Sequence, residues 1–328
     1  MLVKKEICRL IKKVCVFSSL ILFVLYGVSL FDNICLDNRA YYSKNNSVLK
    51  IQNLKNIDRL DILFIGNSYT YSGIKPSSFD KLGLNAYNIG VQTAGLEFYD
   101  LILQDILTQK KDIKVVFLLV SPSTFVNKSD NYKTLPLHRY LLKPKSTILA
   151  MFKYEKLRDH SIMVFRYSIK MGIKNLILYF KSLFIKKNNE YPKILVNKGW
   201  EQSEQVVDSK IISSTKKYYL DLESQFFDSN KIQILMNLAE QLKSKNITPV
   251  FHTLPTNSLK DYFNKDFLKQ YNIGVNNLRN MYYFLDLDKK INKKNFRNID
   301  HLNSFGAELV TEQILEYVSG LPQLKLNE

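Results

Sequence analysis

DILFIGNSYTYSGI, Asp61 to Ile74, decides how the chain is read. An apolar run, DILFI, stops at Gly66-Asn67-Ser68, the pattern of a buried strand that ends in a tight turn. In an open α/β sheet the carboxyl ends of the strands line the ligand crevice, so the Ser68 hydroxyl would face substrate rather than core. A serine nucleophile needs a base. NIDHLNSFGAELV, Asn298 to Val310, supplies His301 in a polar turn just ahead of a segment with helical apolar spacing.

Outward from Ser68 the pattern alternates. Strands are predicted near Asp61 to Ile65, Ala86 to Ile89, Val115 to Val120, Thr248 to Thr253 and Tyr282 to Asp286. Helical spacing falls between most of them, with Leu96, Tyr99, Leu103 and Ile106 in Leu96 to Gln109, and again over Ile232 to Leu242 before Ser244 to Asn246 ends it. Such alternation predicts parallel pairing with right-handed crossovers, hence a three-layer α/β/α sandwich around a mostly parallel five-stranded sheet.

Before and between these elements the pattern differs. A basic tail, 1–13, carries Lys4, Lys5, Arg9, Lys12 and Lys13 ahead of an uncharged run from Val14 to Phe31. At about 1.5 Å per residue that run is just long enough for a hydrocarbon core of about 30 Å. The positive flank keeps the amino end cytoplasmic, and no Ala-x-Ala site follows closely, so the expectation is an uncleaved transmembrane signal anchor over 14–31. Residues 32–59 read as a polar, Asn-rich stalk, and 60–126 and 226–328 as two halves of one domain. The stretch 127–225 reads as a mostly helical insertion or lid. Within it Ser161 to Lys187 has the spacing of a basic amphipathic helix, suited to a membrane surface, a cleft or a solvated face.

Forty-seven basic against 30 acidic side chains leave a formal charge of +17, compatible with an anionic partner. Behind an anchor, that partner would be an envelope polymer or lipid head group and not nucleic acid. The three cysteines, Cys8, Cys15 and Cys35, straddle the apolar run and build no intramolecular disulfide framework. No zinc-ligand spacing is present, and neither a metal nor a cofactor is expected.

GNSYTYSGIKPSSF, then YNIG, then VVFLLVSPSTF, then DHLNSFGA together resemble the SGNH (GDSL-type) hydrolase superfamily, over most of Asp61 to Ser123 and Ile234 to Val318. Their phrasing looks more specifically like its membrane-anchored branch, which includes the D-alanyl-transfer and alginate O-acetylation proteins. The resemblance implies a flavodoxin-like sheet and a serine acyltransferase or esterase. Its substrate would be a cell-surface polysaccharide or envelope polymer, its acyl group acetyl, and its working partner a membrane-bound acyl-carrier protein.

Ser68 would attack the acyl carbonyl while His301 takes its proton. The Ser68 N–H and the Gly90 N–H, from YNIG, are the expected oxyanion donors, with Ser121 or Ser123 as a further candidate. The chain lacks the family's Gly-x-Asn-Asp after the third strand and carries Asn298 where the family has an Asp three residues before the His. Asn298, or Asp300 from a turn, would orient the imidazole, or the site would work as a Ser-His dyad. Asn67, Asn88 and His252, which follows the fourth strand, are the substrate-binding candidates. A non-catalytic assembly subunit of an O-acylation system and a lipid-directed esterase are the alternatives.

Overall fold

The computed structural model describes residues 16, 46–92, 94–109, 112–126, 193–207, 226–257, 259–288 and 291–324. All of these except Val16 belong to one compact unit, Asn45–Ser161 with Tyr191–Glu328. The expected anchor, apart from Val16, and the basic helix of 161–187 lie outside the described residues. Among the described residues no helix is long and apolar enough to cross a membrane.

Five short apolar runs form the sheet: β1 (Ile62–Ile65), β2 (Ala86–Asn88), β3 (Val115–Leu119), β4 (Thr248–His252) and β5 (Tyr283–Leu285). They are all parallel, in the order β2-β1-β3-β4-β5. Ile62 stands beside both Ala86 and Val115, so β1 is flanked on one side by β2 and on the other by β3. The chain therefore reverses its direction of winding at β1 and β3, and a crevice opens beyond their carboxyl ends. The sequence runs into that crevice at Gly66 from β1 and at Val120 from β3.

Strands β1, β2 and β3 are buried throughout, as continuous apolar runs covered on both faces should be. Phe64 stacks on Phe117 at 4.9 Å and tilts against Phe79 at 5.4 Å. Burying a ring of this size stabilises the fold by about 1.5–3 kcal/mol. Phe64→Ala would remove it and leave a cavity, at a cost of about 3–5 kcal/mol.

The helices are α1 (Asn46–Lys55), α2 (Ser68–Gly73), α3 (Leu96–Gln109), α4 (Lys193–Val196), α5 (Asn230–Lys243), α6 (Lys265–Met281) and α7 (Ser304–Ser319). Helix α3 has the span its periodicity predicts and buries Leu96, Tyr99, Leu103 and Ile106. Helix α5 ends as Asn246 turns left-handed at φ 60°, which lets the Ile247 N–H reach back to the Leu242 carbonyl.

Helix α1 falls within the stalk expected over 32–59 and corrects it for Asn46–Lys55. Leu49, Ile51 and Leu54 are buried in the core, and Lys50 is 1% exposed. The apolar residues are few among Asn, Gln and Lys, and one inward position is a lysine, so the segment reads as polar although it packs.

Residues 193–207, placed by sequence within the insertion, also join the sheet unit. Lys198 and Gly199 both have positive φ, 51° and 89°, and this turn brings the Lys198 carbonyl to the N–H of Asn88 at 3.0 Å on the outer edge of β2. A Cβ on Gly199 would lie 2.0 Å from the Asn88 carbonyl oxygen, so only glycine permits the approach. The edge strand is thereby covered.

Candidate active site

Helix α2 is six residues long, too short to be stable alone, so its surroundings must hold it. At its start, a Cβ on Gly66 would sit 1.8 Å from the Thr70 hydroxyl oxygen, and only glycine lets the chain turn so tightly off β1. Asn67 is the N-cap: its side-chain oxygen accepts the Tyr69 N–H at 3.0 Å. Because Asn67 does the capping, Ser68 is left free as the first helical residue. It is half-buried while Tyr69, Thr70, Tyr71 and Ser72 are buried, and its hydroxyl makes no hydrogen bond among the described residues.

At its end, the last carbonyls of α2 have no partners within the helix. Asn88 Nδ2 donates to the carbonyls of Thr70 at 2.7 Å and Ile74 at 2.9 Å. The Glu201 N–H donates to the Tyr71 carbonyl at 2.9 Å, and the Trp200 indole N–H to the Ser72 carbonyl at 3.0 Å. The turn that presents Ser68 is thus held by β2 and by the segment after α4.

His301 comes from a loop pinched at its base by a bridge between Phe296 and Leu302 and by the Arg297 N–H donating to the His301 carbonyl at 3.0 Å. Inside it, the Asn298 side-chain oxygen accepts the N–H groups of Asp300 at 3.1 Å and His301 at 2.7 Å, an Asx turn. Successive side chains of an extended segment point apart, but this turn swings the Asp300 carboxylate onto His301 Nδ1. Asn298 Oδ1 lies 3.2 Å from the same nitrogen. Both candidates for orienting the imidazole therefore meet it, the carboxylate more closely. In the neutral tautomer whose Nδ1–H donates to Asp300, the lone pair is on Nε2. The loop runs into α7, where Asn303 caps by accepting the Gly306 N–H at 3.1 Å. A Cβ on Gly306 would lie 2.2 Å from the Asn295 carbonyl oxygen, which accounts for the glycine of SFGA.

The two halves meet because α2 packs on α7. The Tyr69 ring stands edge-on to the His301 ring at 5.1 Å, Arg297 Nη2 donates to the Tyr71 hydroxyl at 3.1 Å, and the Lys75 N–H donates to the Thr311 hydroxyl at 3.0 Å. Ser68 and His301 are thus on neighbouring turns at the carboxyl rim of the sheet. They make no hydrogen bond with each other among the described residues.

Other expected site residues are placed differently. Asn88, expected to bind substrate, is fully buried, and the three bonds of its side chain hold α2 and Gly90. Gly90 is seated against the Ser68 turn: a Cβ there would be 2.4 Å from the Tyr71 nitrogen and 2.9 Å from the Asn67 carbonyl oxygen. Its N–H, expected as an oxyanion donor, is instead engaged by Asn88 Oδ1 at 2.9 Å.

The Ser121 hydroxyl is buried and already shared with Ser123 at 3.0 Å and Thr124 at 2.9 Å. His252, also expected to touch substrate, is fully buried against the Phe117 ring, 5.8 Å away. Burial lowers its pKa to about 3, so it stays neutral. Asn67 is committed to its cap. Among the described residues the Ser68 N–H, first in its helix, has no intrahelical partner.

Sequence reasoning passed over Tyr71, Arg297, Trp200, Glu201 and Lys50. Tyr71 is held between the Arg297 guanidinium and Lys50, and burial foremost raises its pKa, with Arg297 acting the other way. Arg297 also lies 3.6 Å from Glu201. The Trp and Gly in NKGW carried a signal that the stretch packs closely. Among the described residues no group of three His, Cys, Asp or Glu could hold a metal ion.

No protein-family model and no curated protein matches the chain. Solved structures do. One is a lipolytic protein described as of the G-D-S-L family from Desulfitobacterium hafniense, at 10% identity and TM-score 0.39, covering 79% of this chain and 99% of that one. Another is described as an acylhydrolase from Bacteroides fragilis, at 12% identity and TM-score 0.38, covering 81% and 92%. A third, from Streptococcus pneumoniae, is described as a platelet activating factor, at 13% identity and TM-score 0.39, covering 89% and 98%. These overlays are loose likenesses of the chain path.

Proposed function

We propose that the chain is a serine-dependent enzyme of acyl groups, an esterase or O-acyltransferase, with Ser68 as nucleophile and His301 as base. The observation that carries this reading is the His301 loop: its imidazole has Nδ1 tied to Asp300 and Asn298 and is seated beside the turn that leaves Ser68 uncommitted. Ser68 Oγ attacks the ester carbonyl as His301 Nε2 accepts its proton, and the Ser68 N–H faces the developing oxyanion. His301 then returns the proton to the leaving alcohol. Water or a second hydroxyl resolves the acyl-serine, which gives hydrolysis or transfer respectively.

The acceptor in this reading is a hydroxyl of a cell-surface polymer and the acyl group acetyl. The basic tail and the apolar run Val14 to Phe31 support an extracytoplasmic site. A second reading, a non-catalytic assembly subunit, is favoured by the engagement of the Gly90 N–H, which leaves the oxyanion one donor short.

Mixing the full-length protein with 4-nitrophenyl acetate separates the two. A burst of nitrophenol and an acetyl mass on Ser68, both lost in Ser68→Ala, identify the enzyme. Equal signals from both proteins would remove Ser68 from the chemistry. Added glycan that becomes acetylated identifies transfer.

A further inference from the structure

A lysine buried behind the nucleophile is unused by the chemistry above. Lys50 projects from α1 and is 1% exposed. Its ammonium donates to the Gly90 carbonyl and lies 5.0 Å from the centre of the Tyr71 ring. Its stem packs on Gly199, whose Cβ would be 3.1 Å from Lys50 Cδ. No carboxylate lies within ion-pair distance among the described residues. A buried ammonium with so little compensation costs stability, whereas a methionine could fill the same volume without that cost. The charge therefore calls for a reason other than packing.

We infer that Lys50 is a positioning residue for the Ser68 turn: its ammonium clamps the Gly90 carbonyl and so fixes the backbone on which the nucleophile helix is seated. The inference rests on the acyl-transfer reading. Gly90 has no slack toward α2, since a single added carbon would collide with both Tyr71 and Asn67. Any drift of Gly90 is thus passed to the turn that holds Ser68, and small misplacements of a reacting atom are costly in rate. A charge-assisted bond to Gly90 holds it more firmly than one from a neutral amine.

Burial lowers the Lys50 pKa to about 7, with Glu201 acting the other way. The groups that face it are Tyr71 from α2 and Glu201 from the segment after α4, with Arg297 and Asp300 of the His301 loop beyond Tyr71, while the Tyr87 hydroxyl of β2 donates to the backbone carbonyl of Lys50. The clamp is then strongest below neutrality and weakens as the pH rises through about 7.

The test measures kcat and KM for 4-nitrophenyl acetate from pH 5.5 to 9 with full-length wild type, Lys50→Met and Lys50→Gln, and Ser68→Ala as the blank. Wild-type kcat should fall by about fivefold to tenfold above neutrality, with KM changed less than about twofold. Lys50→Met should show a low kcat without that alkaline limb. Lys50→Gln, which keeps a donor without the charge, should also lack the limb but with a higher kcat.

A wild-type kcat that does not fall between pH 7 and 9, or a Lys50→Met profile parallel to wild type, overturns the assignment. Should neither variant fold, the wild-type profile decides. Ser68-dependent turnover that ignores Lys50 removes this role alone, while turnover independent of Ser68 removes the enzyme reading as well.

Discussion

Asp300→Asn is the substitution on which the site's chemistry turns. The carboxylate is 2% exposed and rests on His301 Nδ1, so in the proposed serine mechanism it would both fix the tautomer and offset the charge that forms on the imidazole. An amide there can offer its NH₂ to Nδ1 and stabilise the wrong tautomer. In serine triads that loss is about 10³–10⁴ in kcat, or roughly 4–5.5 kcal/mol of barrier.

Asn298→Ala should cost less. It removes the one oxygen that accepts two N–H groups, at 3.1 Å and 2.7 Å, but the loop remains closed by the Phe296 to Leu302 bridge and the Arg297 N–H. We expect about tenfold to a hundredfold in kcat and about 1–2 kcal/mol of stability. Asn298→Asp keeps the acceptor and should stay within a few-fold of wild type. Burst kinetics with 4-nitrophenyl acetate, alongside thermal melts to verify folding, give the comparison. The reasoning is refuted if a folded Asp300→Asn loses less than tenfold, or if Asn298→Ala is the more damaging of the two.

Gly90→Ala should lower kcat by about a hundredfold, because its Cβ would press the Ser68 turn aside, whereas Gly83→Ala, with open space around it at φ 66°, should cost about 1–2 kcal/mol of stability and leave kcat unchanged. Trp200→Phe leaves the Ser72 carbonyl without its donor, and urea unfolding should register a loss of about 1–3 kcal/mol. His252 titrates at about 3 when folded and near 6.5 when unfolded. The unfolded chain thus binds the extra proton between those values, and folding loses up to a few kcal/mol as the pH falls through that window. Urea unfolding at pH 7 and pH 4.5 should show a smaller acid loss for His252→Leu than for wild type.

The sheet was legible because five apolar runs alternate with helix-like spacing, and each strand falls inside its predicted run. What escaped were residues whose role depends on partners distant in the chain. Asn88 reads as a polar residue at a strand end, and nothing local announces that its amide will cap a helix begun twenty residues earlier. Lys50 made a packed helix look like stalk. Placing Asp300 on His301 required the Asx turn made by Asn298, and a strand-like picture of that segment sends the two side chains apart.

The late arrival of Lys198 bears on how the protein is made. A ribosome that has released the chain as far as β3 has exposed three parallel strands, one with a bare flank at Asn88. Until roughly eighty more residues follow, that flank is free to pair with a neighbouring nascent chain, and the Ser68 helix lacks its indole and Glu201 supports. Deleting 193–207 should therefore yield aggregates before it yields an inactive monomer.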